Sequence, residues 1–228
     1  MLEEKQSNVC VCCTVCSQCN IELALLLDSS AKSIANAWTQ IKEFAVSVIA
    51  GYTINSNCVR AAITRYNDAL AISSTLTSYN DRNSLQQHIR GLSLLNGGSS
   101  LGTALRELRI NVFSSTYARS VATLIAVIVT DNLQPSWWIT NEANLAKNQG
   151  ITIIAVGITR QGRVDTITLY AVATRSGFTI YATTVSDYTQ LSGVVSSVTT
   201  QWGCPVSTTT PATTPAPIPS NACSFMSI

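Results

Sequence analysis

Carboxylates and hydroxyls stand where the apolar runs of this chain stop. The run that starts at Ile21 ends in Asp28-Ser29-Ser30, and a second run, Val121 to Thr130, ends in Asp131. Between them Asn96-Gly97-Gly98-Ser99-Ser100-Leu101-Gly102 forms a Gly-rich stretch with hydroxyls ahead of a helical pattern. Asp28, Ser30, Ser99 and Asp131 are hard oxygen donors of the kind Mg²⁺ takes, and three loops carrying them could surround one such ion, with waters completing its shell. Lys32 bears on the same chemistry from the opposite direction. Its ammonium would repel a divalent ion and could itself neutralise the two carboxylates, or its four-carbon stem could carry the charge out to water. Ser100 and Asn132 flank the same stretches as candidate ligand contacts. Trp137 and Trp138, in a Pro-containing segment, are a candidate contact platform, with packing beneath the next helix as the alternative.

These residues need strands to deliver them. In an open α/β sheet the ligand crevice lies outside the carboxyl ends of the strands, so an apolar run that stops at a carboxylate reads as a buried strand with its chemistry at the tip. Ile34, Trp38, Ile41, Ala45 and Val48 recur at spacings of three and four, which predicts an amphipathic helix from Ser33 to Ala50. Val59 to Tyr66 and Leu70 to Leu76 flank Asn67-Asp68-Ala69 and predict a hairpin, hence one antiparallel edge strand. Helices are expected over Asp81 to Leu92, Leu101 to Phe113, Glu142 to Gln149, Arg163 to Thr174 and Ser186 to Trp202. Further strands are expected at Val121 to Thr130, Ile151 to Gly157 and Phe178 to Ala182. This alternation is the pattern of a three-layer α/β fold.

The spacing Asp28-x-Ser30 after the first strand, Ser99 in the Gly-rich loop and Asp131 within VIVTD resembles the von Willebrand factor type A domain from about Ile21 to Cys204. That family carries a metal-ion-dependent adhesion site of Asp-x-Ser-x-Ser, a Thr and a later Asp. Asp28 and Ser30 match the first two positions, Ser99 takes the Thr position and Asp131 the last, whereas Lys32 stands where the family has its second Ser. The resemblance implies a doubly wound, Rossmann-like, mostly parallel six-stranded sheet with one antiparallel edge strand and the first strand central. It also implies an adhesion site that is degenerate at Lys32.

Composition narrows the rest. The chain has 228 residues, 46% of them hydrophobic, enough for one sizeable core with short appendages. A formal net charge of +2 with 11% charged residues gives no basic stripe, so a nucleic-acid partner is set aside. No apolar run approaches the roughly 20 residues of a membrane span, and the polar start has no signal-peptide core, so a leader has been removed or the chain is a fragment. Eight cysteines point to an oxidising, extracellular setting. Cys13-x-x-Cys16 and Cys16-x-x-Cys19 have zinc-ligand spacing, but they share Cys16 and no second separated pair follows.

The expected organisation is a cysteine-rich segment at 1–18, the α/β domain at 19–204, and a Thr/Pro-rich linker at 205–228 that leads towards a possible next module. Cys19 and Cys204 stand at the two ends of the α/β pattern and fit a bond closing the domain, the alternative being that Cys19 pairs within the amino-terminal cluster. There is no Ser-His-Asp or Cys-His set and no G-x-S-x-G, and the stretch from Gly97 to Thr103 lacks the lysine of a phosphate-binding loop. His88, the single histidine, is expected on the surface. A non-enzymatic, secreted binding module for an extracellular protein or glycan is therefore expected. The alternative is a structural matrix protein cross-linked through its cysteine-rich end.

Overall fold

The structure is a computed structural model that describes residues 20–30, 35–114 and 116–200. Cys19, Cys204, Lys32, the segment 1–18 and the linker 205–228 lie outside the described residues. Strand β1 (Ile21–Asp28) is buried at every position and runs centrally between β2 (Val59–Tyr66) and β4 (Thr123–Thr130). It is parallel to both, with Asp28 level with Tyr66. The sheet order is β3-β2-β1-β4-β5-β8, where β3 is Leu70–Ser74, β5 is Ile151–Ile158 and β8 is Ala182–Val185. Only β3 runs antiparallel, as the turn at Asn67-Asp68-Ala69 requires.

Side chains alternate across the pleat, so β1 supplies both layers. Leu23, Leu25 and Leu27 join a core beneath α1 (Ala37–Ala50), α2 (Arg82–Gly91) and α6 (Val195–Thr200). Ala24 and Leu26 join the opposite core beneath α3 (Leu101–Glu107), α4 (Trp137–Asn148) and α5 (Thr166–Val172). A strand covered on both faces has no solvent side to mark with polar residues, which is why the central runs read as nearly continuous apolar stretches. Helix termini follow local chemistry. The Asp81 side chain accepts from Ser84 N at 2.8 Å to start α2, and Gly150, with φ +82°, takes the left-handed position past the end of α4.

Several boundaries differ from the sequence expectation. Helix α4 begins at Trp137, so both tryptophans lie in its first turn and not in a loop. The helix expected over Leu101 to Phe113 changes at Leu108 to a π turn, Leu108–Val112, with Phe113 N bonded to Leu108 O at 3.0 Å. The last sheet strand is β8, and Phe178 falls in the turn of a small ribbon, β6 (Arg175–Ser176) with β7 (Thr179–Ile180), fully exposed. Periodicity cannot distinguish a short exposed ribbon from a short sheet strand. His88 is half-buried against Tyr79, ring centroids 5.2 Å apart, and is not a simple surface residue. Cys58 is disulfide-bonded. No helix of the described residues is long and apolar enough to cross a membrane.

At the amino-terminal end of β1, Glu22 is fully buried. Arg60 donates to it from Nε at 2.9 and 3.0 Å, and Arg119 from Nε at 2.6 Å and from its backbone N at 3.1 Å. Arg119 also reaches the carbonyls of Ile21, Ser56 and Cys58. A charge this buried is tolerated only when paired and hydrogen-bonded, and these bonds tie β1, β2 and the approach to β4 together. Replacing Glu22 with Ala leaves two largely buried guanidiniums uncompensated and is expected to cost about 3–5 kcal/mol in chemical denaturation. A loss below about 1 kcal/mol, the range of exposed pairs, would contradict this role.

Candidate functional site

The carboxyl ends of β1 and β4 bring the sequence-predicted residues together around Asp28, which is fully buried. Its Oδ1 accepts from the backbone N of Ser30 at 3.0 Å and from the Ser30 hydroxyl. Its Oδ2 accepts from Ser99 Oγ at 3.0 Å, Thr130 Oγ1 at 3.0 Å and Tyr66 OH at 3.2 Å. A buried carboxylate demands several donors, and here four separate segments supply them. Asp131, one residue past β4, accepts from the phenol of Tyr188, at the start of the 3₁₀ turn Tyr188–Val194. Lys32, the residue that departs from the family pattern, is outside the described residues.

Local chemistry holds the Gly-rich loop over this carboxylate. Ser29 N bonds Tyr66 O at 2.7 Å, its hydroxyl accepts from Leu95 N at 2.9 Å, and its carbonyl accepts from Asn96 N at 3.0 Å. On the other side Asn67 Nδ2 donates to Asn96 O at 2.8 Å and Asp68 accepts from Gly98 N at 3.1 Å. A Cβ at Gly98 would lie 2.2 Å from Asp68 Oδ1, so a side chain there would have to displace the carboxylate that now accepts from Gly98 N. Gly102 has a similar reason: a Cβ there would lie 2.2 Å from Cδ1 of Trp138.

The remaining candidates are placed less directly. Ser100 occupies the N-cap position of α3, its hydroxyl bonded to Thr103 at 2.9 Å. The Asn132 carbonyl lies 3.1 Å from Thr130 Oγ1 and 3.4 Å from Ser99 Oγ, whose single protons go to the Asp28 carboxylate. Trp137 is 75% exposed and Trp138 39%, their ring centroids 6.4 Å apart. The two indoles therefore differ in kind: Trp138 packs on α3 while Trp137 projects from the first turn of α4.

Four residues of the site are missing from the sequence reading: Ser29, Tyr66, Thr130 and Tyr188. Tyr66 and Tyr188 could not be found by local pattern, because their partners are 38 and 57 residues away in sequence. Thr130 was visible as the polar end of its strand. Burial raises the Tyr66 phenol pKa well above its ordinary value, and the nearby Asp28 charge adds to this. Burial likewise raises that of Tyr188, reinforced by its hydrogen bond to Asp131. Both therefore stay protonated donors through the neutral range.

Two carboxylates and two serine hydroxyls on three loops form a hard-oxygen set that fits a divalent cation. In the described structure those hydroxyls already donate to Asp28. Holding an ion would require them to turn their lone pairs towards it.

Comparison with known proteins assigns the fold. The family model described as von Willebrand factor type A domain matches residues 22–197. Matrilin-1 of Gallus gallus is 26% identical over 164 residues, covering 70% of this chain and 32% of the relative. Collagen alpha-4(VI) chain of Mus musculus is 28% identical over 150 residues, covering 64% and 6%. The chain thus spans about a third of matrilin-1 and a small part of the collagen chain. Among solved structures, proximal thread matrix protein 1 from the mussel byssus, with a zinc-occupied MIDAS motif, aligns with a TM-score of 0.72 at 22% identity. The alignment covers 80% of this chain and 48% of that one. Manganese-loaded Plasmodium vivax TRAP protein aligns with a TM-score of 0.64 at 17% identity, covering 81% and 75%. At these identities the two structures establish the shared fold.

The tryptophans and tyrosines give separate tests. Trp137→Ala should change stability by less than about 0.5 kcal/mol, whereas Trp138→Ala should cost about 2 kcal/mol by opening its seat on Gly102. Equal losses in thermal denaturation would contradict the asymmetry. For the tyrosines the sign follows from their raised folded pKa. The stability they contribute is fully present below the unfolded value of about 10.0 and is lost as pH rises above it. Stability should fall steeply above that pH in the natural chain and less steeply in Tyr188→Phe, as read by denaturant titration across alkaline pH; identical slopes would contradict it.

Proposed function

Because the chain belongs to the von Willebrand factor type A domain family, we propose that it is a non-enzymatic binding module of a secreted, extracellular-matrix protein. On this reading it recognises a protein or glycan ligand through the face formed by Asp28, Ser30, Ser99, Ser100, Asp131, Asn132 and Trp137. The kinship with matrilins and collagen VI chains supports the matrix setting. No helix of the described residues could anchor it across a membrane. A reaction would need a nucleophile activated by an adjacent base, and the single histidine lies on α2 against Tyr79, not among these residues.

The observation that carries the reading is the carboxylate of Asp28, held at the tip of the central strand by hydroxyls from Ser30, Tyr66, Ser99 and Thr130. These partners order the ligand face. Asp28, Ser30, Ser99 and Asp131 are the residues that would hold Mg²⁺ or a similar ion, and such an ion would supply an open coordination position for a ligand carboxylate. Lys32 puts an ammonium at the position where the family has a further hydroxyl, so the site is degenerate and works mainly without metal.

Calorimetric titration with Mg²⁺ and Mn²⁺ tests this directly. The unmodified chain should show at most weak binding and Lys32→Ser a clear gain. Tight binding by the unmodified chain that Asp131→Ala abolishes would overturn the degenerate site and restore a metal-dependent adhesion mechanism.

A further inference from the structure

On a ligand face that works mainly without a metal ion, a ligand carboxylate needs another cation to meet, and the turn between β5 and α5 presents one in Arg163. Its backbone is fixed. The Arg163 carbonyl accepts from Leu133 N and from Gln134 Nε2, both at 2.8 Å, and Leu133 forms a β-bridge with Val164 that ties the segment after β4 to the segment after β5. Two residues on, the Asp165 side chain accepts from Thr168 N at 2.7 Å and starts α5. The guanidinium itself is exposed and has no hydrogen bond or ion pair among the described residues, whereas that of Arg160 is paired with Asp187. Trp137 and Ile167 stand in the first turns of α4 and α5, the two helices entered from the bridged segments, and are 75% and 78% exposed. We propose that Arg163 receives a carboxylate of the partner protein while Trp137 and Ile167 take apolar side chains next to it, so that the face reads a segment in which an acidic residue lies between apolar ones.

That assignment rests on Asp28 and its surroundings being the ligand face, and it names the chemistry of the ligand. Burial, the bond to Asp131 and the charges of Asp131 and Asp28 raise the Tyr188 phenol, and the Arg163 charge opposes them. Charges in water act over about 10 Å, so the guanidinium stands within reach of the face on which Asp131 lies. The carboxylates of Asp28 and Asp131 are themselves held by hydroxyl and phenol donors. An exposed pair between Arg163 and an acid contributes little in open water, and the apolar side chains give it weight by excluding water around it. The planar guanidinium also matches a carboxylate with two parallel hydrogen bonds. A sulfated glycan is a poorer match, because its charges repeat along the chain and here the neighbouring cations are engaged, Arg160 by Asp187 and Lys147 by the carbonyls of Ala171 and Ala173. A neutral sugar would stack on Trp137 and leave both Arg163 and Ile167 unused.

Nuclear magnetic resonance on the full chain tests it with N-acetyl-Leu-Glu-Leu-amide as the probe. The Arg163 Nε–H, the Trp137 indole N–H and the Ile167 methyl signals should shift together and saturably, and the Gln analogue of the same peptide should leave Arg163 unmoved. Arg163→Gln should weaken binding roughly tenfold and Arg163→Lys by less, with thermal stability unchanged in both, because the side chain has no partner among the described residues to lose. Trp137→Ala should weaken it as well, whereas Arg175→Gln, in the β6–β7 ribbon, should not. Peptide shifts at the Ser30, Ser99 and Asn132 amides without Arg163 would overturn the proposal and leave the ligand face standing; saturable shifts confined to residues off this face would overturn both. No saturable shift, or a heparin tetrasaccharide that binds Arg163 as tightly in Trp137→Ala as in the natural chain, would also overturn it, the last assigning the face to a glycan.

Discussion

The fold turns on one constraint, a carboxylate buried at the carboxyl end of its central strand. Asp28 is fully buried, and a buried carboxylate without donors costs more than a domain of this size can tolerate. The donors come from the Ser30 loop, the tip of β2, the Gly-rich loop and the end of β4. Meeting that demand fixes where three loops sit, and so it shapes the face proposed for ligand binding. Ser29 extends the same logic by clamping Leu95 and Asn96, which brings Ser99 into place.

Strand β1 carries a buried carboxylate at each end, and the two are compensated differently. Glu22 is met by two guanidiniums, which neutralise it and lock the amino-terminal edge of the sheet. Asp28 is met, among the described residues, by neutral hydroxyls and an amide. The first arrangement is closed and structural. The second lies at the face proposed above for ligand binding, so on that reading recognition sits at one end of the strands and rigidity at the other.

The layered fold, the central first strand and the antiparallel edge were legible because strand runs, turn residues and helical periods are local patterns, and because Asp28, Ser30, Ser99 and Asp131 fall at family spacing. Glu22 sat unremarked inside its run, since nothing near it in sequence announces Arg60 and Arg119, 38 and 97 residues away. The start of α4 was misplaced because Pro135-Ser136 reads equally as loop or as helix entry. The glycines of the loop have the look of a phosphate-binding stretch without its lysine, and the side chains they actually meet, Asp68 and Trp138, are long-range contacts that only packing exposes. Tyr66 and Tyr188 were hidden for the same reason.

The central claim is that hydroxyl and amide donors, not a metal ion, order the ligand face. Amide hydrogen exchange in metal-free chain, residue by residue, measures it most directly. The account predicts slow exchange at Ser30, Asn96 and Gly98 without any divalent ion, little change when Mg²⁺ is added, and loss of that protection together in Asp28→Asn. Fast exchange at all three in the metal-free chain, slowed only by Mg²⁺, would contradict it.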